Sequence, residues 1–128
     1  ARVIEEVIAR LKELSLIDDA AFARAWVDSR QRTSPRGRRL IAAELRSKGL
    51  ARPVVESSLS GLDEAEAAYR AAARRARSLD SAPYPQFRRR LMDLLLRRGF
   101  EAETAGQAVR RLWQERSGDQ PEPEDNEA

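Results

Sequence analysis

The chain contains no cysteine and no histidine among its 128 residues. Their absence excludes a zinc finger, a thiol nucleophile and an imidazole general base. Because the chain cannot form disulfides, we expect it to reside in a reducing compartment, the cytoplasm. No apolar run approaches the roughly 20 residues that a membrane-spanning helix needs, so we expect no membrane partner.

Recognisable catalytic motifs are missing as well. The remaining acids and bases show no metal-ligand spacing, no glycine-rich phosphate loop and no nucleophile elbow. The adjacent Asp18 and Asp19 are interpreted as a helix cap and a favourable charge at a helix start. We therefore expect a protein that is not an enzyme, with no catalytic residue, no cofactor and no metal.

Aromatic residues make up only 5% of the chain, whereas alanine supplies 21 residues. No stretch alternates between apolar and polar residues long enough to indicate a sheet. Apolar residues instead recur at spacings of three and four almost everywhere, which is typical of amphipathic helices. The predicted fold class is therefore all-α, with a thin core rich in alanine and leucine. The first apolar stripe consists of Val3, Ile4, Val7, Ile8, Leu11 and Leu14.

The predicted helices begin where this periodicity is interrupted. Ser15–Ile17 interrupts the first stripe, so Asp18 is expected to cap a new helix. Ser34 before Pro35 predicts an N-cap followed by proline at the first helical position. A turn over residues 80–85 is expected to precede a helix that residues 88–90 open.

An internal repeat is the strongest structural feature of the sequence. Leu45–Leu50 recurs as Leu95–Phe100 at an offset of 50 residues, and the helices that follow also match. Gly49 and Gly99 are each followed by an apolar residue, which predicts left-handed helix ends. Together these features predict tandem three-helix repeats of about 50 residues that form an elongated curved array.

The predicted organisation has four parts. Residues 1–17 are the last helix of an incomplete first repeat, and residues 18–62 form the second three-helix repeat. Residues 63–117 form the third repeat, and residues 118–128 form a disordered acidic tail. From this division we expect that most of a first repeat precedes Ala1.

The charge of the chain is unevenly distributed. The formal net charge is +3, but residues 119–128 contain five acids and no base, so residues 1–118 carry +8. All but two of the 24 basic residues are arginine. Two explanations of the arginine content are open. A GC-rich genome enriches arginine and alanine together, and a chain that binds a polyanionic or acidic partner also needs basic residues.

Basic residues near helix ends are the candidate binding residues. Cations complement the dipole at a helix C-terminus but are disfavoured at an N-terminus, so their repetition there indicates an anion-binding or acid-binding face. The aromatic residues Phe22, Trp26, Phe87, Phe100 and Trp113 lie on apolar stripes, so any DNA binding should be backbone-driven and salt-sensitive. The candidate partner-binding or DNA-binding residues are Arg30, Arg36, Arg38, Arg39, Arg46, Lys48, Arg88, Arg89, Arg97 and Arg98.

Three segments resemble the RecX family of regulatory proteins. Residues 16–23, Leu-Ile-Asp-Asp-Ala-Ala-Phe-Ala, resemble the family segment (I/L)DD..FA. Residues 97–100, Arg-Arg-Gly-Phe, resemble the family's RRGF near the C-terminus. Between them lie further family-like residues, and the resemblance covers about residues 3–113. These intermediate residues are Gly37, Ile41, Glu44, Leu45, Lys48 and Gly49.

The resemblance implies an all-helical array of three-helix repeats without enzymatic activity. It implies a non-enzymatic regulator of DNA recombination and repair that lodges in the groove of the RecA filament and inhibits its ATPase, strand exchange and coprotease activities. It also makes Asp18, Asp19, Phe22, Gly49 and Gly99 fold-defining positions. The acidic tail lies outside the family pattern.

Two other interpretations remain open at the level of sequence. The chain could be a sequence-nonspecific DNA-binding helical module that inhibits RecA by competing for DNA, which predicts strongly salt-dependent binding to bare DNA. It could also be a self-associating scaffold with an apolar edge on its first helix. We expect a monomer that binds the RecA filament and makes at most weak nonspecific DNA contact.

Overall fold

The computed structural model describes residues 2–118, and this part of the chain contains six α-helices and no strand. The acidic tail predicted over residues 118–128 lies outside the described residues from residue 119 onward. The all-α tandem three-helix fold is confirmed. The helices are α1 (Arg2–Thr33), α2 (Arg38–Ser47), α3 (Arg52–Leu59), α4 (Glu64–Ala76, extended by a 3₁₀ turn at Arg77–Leu79), α5 (Tyr84–Arg97) and α6 (Ala102–Ser117).

The buried residues form two separate cores. In the first, α1 packs against α3 and contacts α2. The buried residues of this core are Ala23, Ile41, Leu45, Val55 and Leu59. In the second, α4 packs against α5 and α6. Four alanines of α4 are buried there, and their small side chains allow the neighbouring helices to approach closely.

The two glycine helix ends have the predicted conformation. Gly49 has a φ of 88° and Gly99 a φ of 89°, the left-handed region that glycine occupies without steric cost. The Leu50 N–H donates to the Leu45 carbonyl at 3.3 Å, and the Phe100 N–H donates to the Leu95 carbonyl at 3.1 Å. The same closing hydrogen bond therefore recurs 50 residues later.

The predicted break at Ser15–Ile17 is wrong. One helix, α1, runs from Arg2 to Thr33, so Asp18 lies inside it and caps nothing. Residues 15–18 contain neither glycine nor proline, so nothing in this segment forces the helix to end. At the next repeat boundary, by contrast, Gly61 separates two helices, and the Asp63 side chain caps α4 by accepting a hydrogen bond from the Glu66 N–H.

Two other predicted helix starts are also wrong. Gly37, rather than Ser34, is the N-cap of α2, because Ser34–Arg36 forms a connecting loop. Helix α5 begins at Tyr84 with Pro85 in its first turn, so residues 88–90 lie one turn inside it. A positive charge at residues 88–90 does not face the N–H groups of the first turn. The prediction that the helix dipole disfavours these three arginines is therefore wrong.

Most aromatic residues lie in the cores as predicted. Phe87 and Phe100 are buried, and Trp26 and Trp113 are half-buried. Phe22 is the exception, because 44% of its surface is exposed. Its ring stacks on Trp26 with centroids 5.9 Å apart.

A close backbone crossing joins the two cores. The Gly37 N–H donates to the Arg98 carbonyl at 2.8 Å. A Cβ at Gly37 would lie 2.2 Å from the Gly99 carbonyl oxygen, and a Cβ at Gly99 would lie 2.4 Å from the Leu40 Cβ. Only glycine therefore fits at either position.

Replacing Gly37 with alanine tests the importance of this crossing. We expect Gly37→Ala to lower the free energy of unfolding by about 2 kcal/mol or more, because backbone atoms must move apart to accept the new methyl group. Gly106→Ala is the matched control. Gly106 lies inside α6 with open space around it, so alanine there should raise stability by about 0.5–1 kcal/mol. Equal effects in urea denaturation would contradict this interpretation.

Candidate basic binding surface

Two of the predicted binding residues, Arg30 and Arg36, are held at the edge of the first core by one carboxylate. The side chain of Glu44 is only 16% exposed, and it accepts hydrogen bonds from Trp26 Nε1 at 3.0 Å and Arg30 Nε at 3.1 Å. It also forms an ion pair with Arg36. Lys48 Nζ lies 4.4 Å from the centroid of the Trp26 ring, as expected for a cation–π contact. Arg30, Arg36 and Lys48 therefore help to hold α1, the following loop and α2 together.

Arg38 is another predicted binding residue with a structural contact. Its guanidinium donates to the carbonyls of Leu59 and Leu62 at 3.3 and 3.4 Å. Its backbone N–H donates to Glu64 Oε2 at 3.1 Å. These contacts join the start of α2 to the start of α4, although about half of the Arg38 side chain remains exposed.

The remaining predicted residues are mostly exposed. Arg39, Arg46, Arg89 and Arg97 are exposed, and none of them has an ion pair within residues 2–118. Arg88 is half-buried in α5. Arg36 and Arg97 belong to different repeats, and both lie close enough to Arg98 to repel its charge, so the structure brings these three predicted residues together.

Arg46 lies at a groove between α2 and α3, which we call the α2–α3 groove. This groove has a volume of about 390 Å³, and Arg38 and Arg52 lie on it as well. Its apolar part consists of Ala42, Val55 and Leu59. Glu56 also lines the groove and pairs with Arg52 at 3.7 Å. Val55 and Leu59 are only 2% and 3% exposed, so the apolar area that the groove offers is small and its arginines dominate it.

A second groove contains arginines that lie mostly outside the predicted set. It consists of two cavities of about 250 and 270 Å³ that share Pro35, Arg70 and Arg74. It lies where the end of α1 and the following loop meet α4 and α5. Neither cavity is lined by an acid. We call it the arginine groove, and its basic residues are Arg32, Arg70, Arg74, Arg75, Arg77 and Arg98.

Arg98 is the one predicted binding residue in the arginine groove. It donates to Ser34 Oγ at 2.9 Å. Burial lowers the pKa of its guanidinium, and repulsion from Arg36, Arg74 and Arg97 lowers that pKa further. The spacing of Arg70, Arg74 and Arg77 at i, i+4 and i+7 on α4 could have revealed the other wall, because such residues share one helix face.

The first half of α1 has an unpartnered apolar stripe. Eight of its large apolar side chains are between 43% and 70% exposed. They are Val3, Ile4, Val7, Ile8, Leu11, Leu14, Leu16 and Ile17. Self-association through this stripe stays a prediction that light scattering over a range of protein concentrations can test.

The residues that the structure describes contain neither a membrane-spanning helix nor a cluster of metal ligands. Within residues 2–118, no helix combines the length and apolar content needed to cross a bilayer. In the same range, no three acidic side chains converge as metal ligands.

Comparison with known proteins gives a consistent set of matches. Residues 18–59 match the family model of the second three-helix domain of RecX, and residues 63–109 match that of the third. A Regulatory protein RecX from Thermobifida fusca is 42% identical over 111 residues, which cover 84% of this chain and 60% of the relative. Its counterpart from Chlorobaculum tepidum is 37% identical over 114 residues, which cover 89% of this chain and 71% of the relative.

A Regulatory protein RecX from Mycolicibacterium smegmatis is 40% identical over 115 residues, which cover 84% of this chain and 61% of that relative. The chain thus spans about 60% of the length of the Thermobifida and Mycolicibacterium relatives. No solved structure matches it.

Glu44→Gln tests the role of the buried carboxylate. The amide keeps the size of the side chain but leaves Arg30 and Arg36 without a counter-charge. We expect the free energy of unfolding to fall by about 1–3 kcal/mol. Glu56→Gln in α3, where the carboxylate forms only an exposed surface pair with Arg52, is the control and should change stability by about 0.5 kcal/mol or less. Thermal unfolding followed by circular dichroism compares the two, and an unchanged Glu44→Gln melting curve would contradict the assignment.

Proposed function

The chain belongs to the RecX regulatory protein family, and from this membership we propose that it binds the RecA recombinase filament and inhibits its ATPase, strand exchange and coprotease activities. The relatives are named regulatory proteins, which supports action by binding rather than catalysis. We further propose that it acts as a monomer in the cytoplasm, where a chain without cysteine needs no oxidising environment.

The observation that carries this proposal is the α2–α3 groove. Its arginines can pair with the acids of a protein segment, and Ala42 together with the arginine stems gives that segment a small apolar contact. Arg46 is exposed and has no ion pair within residues 2–118, so it is available to a partner. Arg52 is 80% exposed beside its surface pair with Glu56, and such surface pairs cost little to exchange.

The tandem arrangement supports inhibition by bridging. The α2–α3 groove belongs to one three-helix repeat, whereas Arg89 and Arg97 lie on α5 of the next. One chain can therefore contact two neighbouring subunits of a filament. Contacts that hold such subunits in one arrangement oppose the subunit changes that ATP turnover requires, because a ligand shifts an equilibrium toward the state it binds better.

Sequence-independent DNA binding is the second candidate function. The arginine groove favours it, because it contains six arginines and no acid. In this case inhibition results from competition with RecA for DNA. The two candidates differ in one respect: a large excess of DNA should abolish inhibition by competition but preserve inhibition by direct filament binding.

The test is the steady-state DNA-dependent ATPase rate of RecA, measured with increasing amounts of this protein and DNA in large excess. We expect inhibition at amounts well below one molecule per RecA subunit. The double variant Arg46→Gln/Arg52→Gln should require roughly tenfold more protein for half-inhibition, because two charges at the groove are lost.

The double variant Arg10→Gln/Lys12→Gln is the matched control for charge. Both residues are exposed in the first half of α1, away from the α2–α3 groove, so half-inhibition should not move. An equal shift in both variants would show that net charge matters and the groove does not. Absence of inhibition by the unaltered chain would refute the proposed function, and inhibition that vanishes as DNA increases would establish the second candidate.

A further inference from the structure

We propose that the arginine groove is a binding site for the phosphodiester backbone of a single nucleic-acid strand, separate from the groove that takes the protein partner. This inference deepens the second candidate function by assigning its site and ligand. The strand-binding measurement needs no RecA, so this inference and the proposed RecA binding can fail independently.

The two cavities of the arginine groove contain no counter-charge of their own. The nearby acids Asp28, Asp63 and Glu66 line a neighbouring cavity that shares only Gln31 and Arg70 with the groove. The residues lining its two cavities include six arginines and no aspartate or glutamate. Arg32, Arg74, Arg75 and Arg77 have no ion pair with any residue in the range 2–118. Elsewhere in the same molecule, glutamates pair with arginines of the first repeat and its loop, namely Arg30, Arg36 and Arg38. The groove therefore keeps a concentrated positive charge that an anionic ligand would neutralise.

The positive charges in and around the groove also repel one another. Arg98 is half-buried, and Arg36, Arg74 and Arg97 lie close enough to disfavour its charged form. A bound anion would relieve this repulsion, which gives binding a favourable electrostatic contribution at this site.

The lining of the groove favours phosphate over a protein segment. Its six arginines outnumber its four apolar residues, so cationic groups dominate the contacts that it offers. The four apolar residues are Pro35, Ala71, Ala73 and Leu94. Arginine forks instead match the oxygens of a phosphate group, and the hydroxyls of Thr33 and Ser34 lie at the same wall. The ring of Tyr69 is occupied by Arg111, whose Cζ lies 3.6 Å from the ring centroid, so the backbone rather than the bases provides binding.

The length of the groove favours a strand over a single phosphate. Its two cavities are continuous through Pro35, Arg70 and Arg74. Arg70, Arg74 and Arg77 follow one face of α4 and its 3₁₀ extension, a rise of about 10 Å over seven residues. A single phosphate would fill only one cavity, whereas a strand places successive phosphates along the whole row of arginines.

The experiment measures binding of a fluorescent oligothymidylate of about 15 nucleotides by anisotropy at several salt concentrations. The groove variant is Arg70→Gln/Arg74→Gln/Arg77→Gln. We expect its affinity to fall by about tenfold or more at about 0.1 M salt, and the slope of log affinity against log salt to decrease by about 2. Glutamine keeps good helix propensity, so α4 should remain folded.

The control variant Arg46→Gln/Arg52→Gln/Arg89→Gln removes the same charge outside the arginine groove. It should keep strand affinity within about twofold, apart from the general effect of net charge. If the groove variant melts early, Arg32→Gln/Arg75→Gln tests other lining positions of the groove without altering the row on α4. Unchanged affinity in the folded groove variants, or equal losses in groove and control variants, would overturn the proposal.

Two further results would also overturn it. If inorganic pyrophosphate displaces the strand as effectively, per phosphate, as unlabelled oligothymidylate, the groove is a site for free phosphate. If the groove variant keeps strand affinity but loses RecA inhibition, the groove is a protein contact. Loss of strand affinity with RecA inhibition retained would support two separate sites.

Discussion

The backbone crossing at Gly37 and Gly99 is the constraint on which the arrangement of the two repeats depends. The carbonyl end of α5 meets the N-cap of α2 so closely that neither position has space for a Cβ. Because the helices of the two cores otherwise pack mainly within their own repeat, a few contacts set how one repeat lies against the other. The arginine groove exists only in this arrangement, since its walls come from the loop after α1 and from α4 and α5.

The structure divides one arginine-rich composition into two populations. Glu44 and Glu64 hold arginines that join helices, and these contacts are partly or largely shielded from water. The arginines of the arginine groove have no such acids among the residues that line the same cavities. Charge in the first population contributes to folding, whereas unneutralised charge in the second remains available for an anion. Counting basic residues near helix ends cannot distinguish the two, because the pairing acids lie 8 to 26 residues away in sequence.

Local patterns predicted the helices well where glycine, whose backbone can adopt a positive φ, marks the boundary. Gly49 and Gly99 end their helices as expected, because a glycine in the left-handed conformation followed by an apolar residue is enough to end a helix without help from distant residues. Asp18 was placed wrongly, because aspartate caps a helix only where the chain enters it, and no glycine or proline interrupts residues 15–18. Among the predicted binding residues, Arg98 lies in the arginine groove and Arg38 and Arg46 at the α2–α3 groove, but five groove arginines were missed.

The all-α class, the repeat of 50 residues and the family all follow from the sequence, because periodicity, glycine helix ends and short motifs depend on neighbours along the chain. Which arginines are paired and which remain available for binding is settled only when the helices pack. That distinction depends on distances between residues of different segments, such as Arg38 with Glu64 and Arg98 with Ser34. The strength of a charge interaction is set by separation and burial in space, neither of which is encoded in the local order of residues.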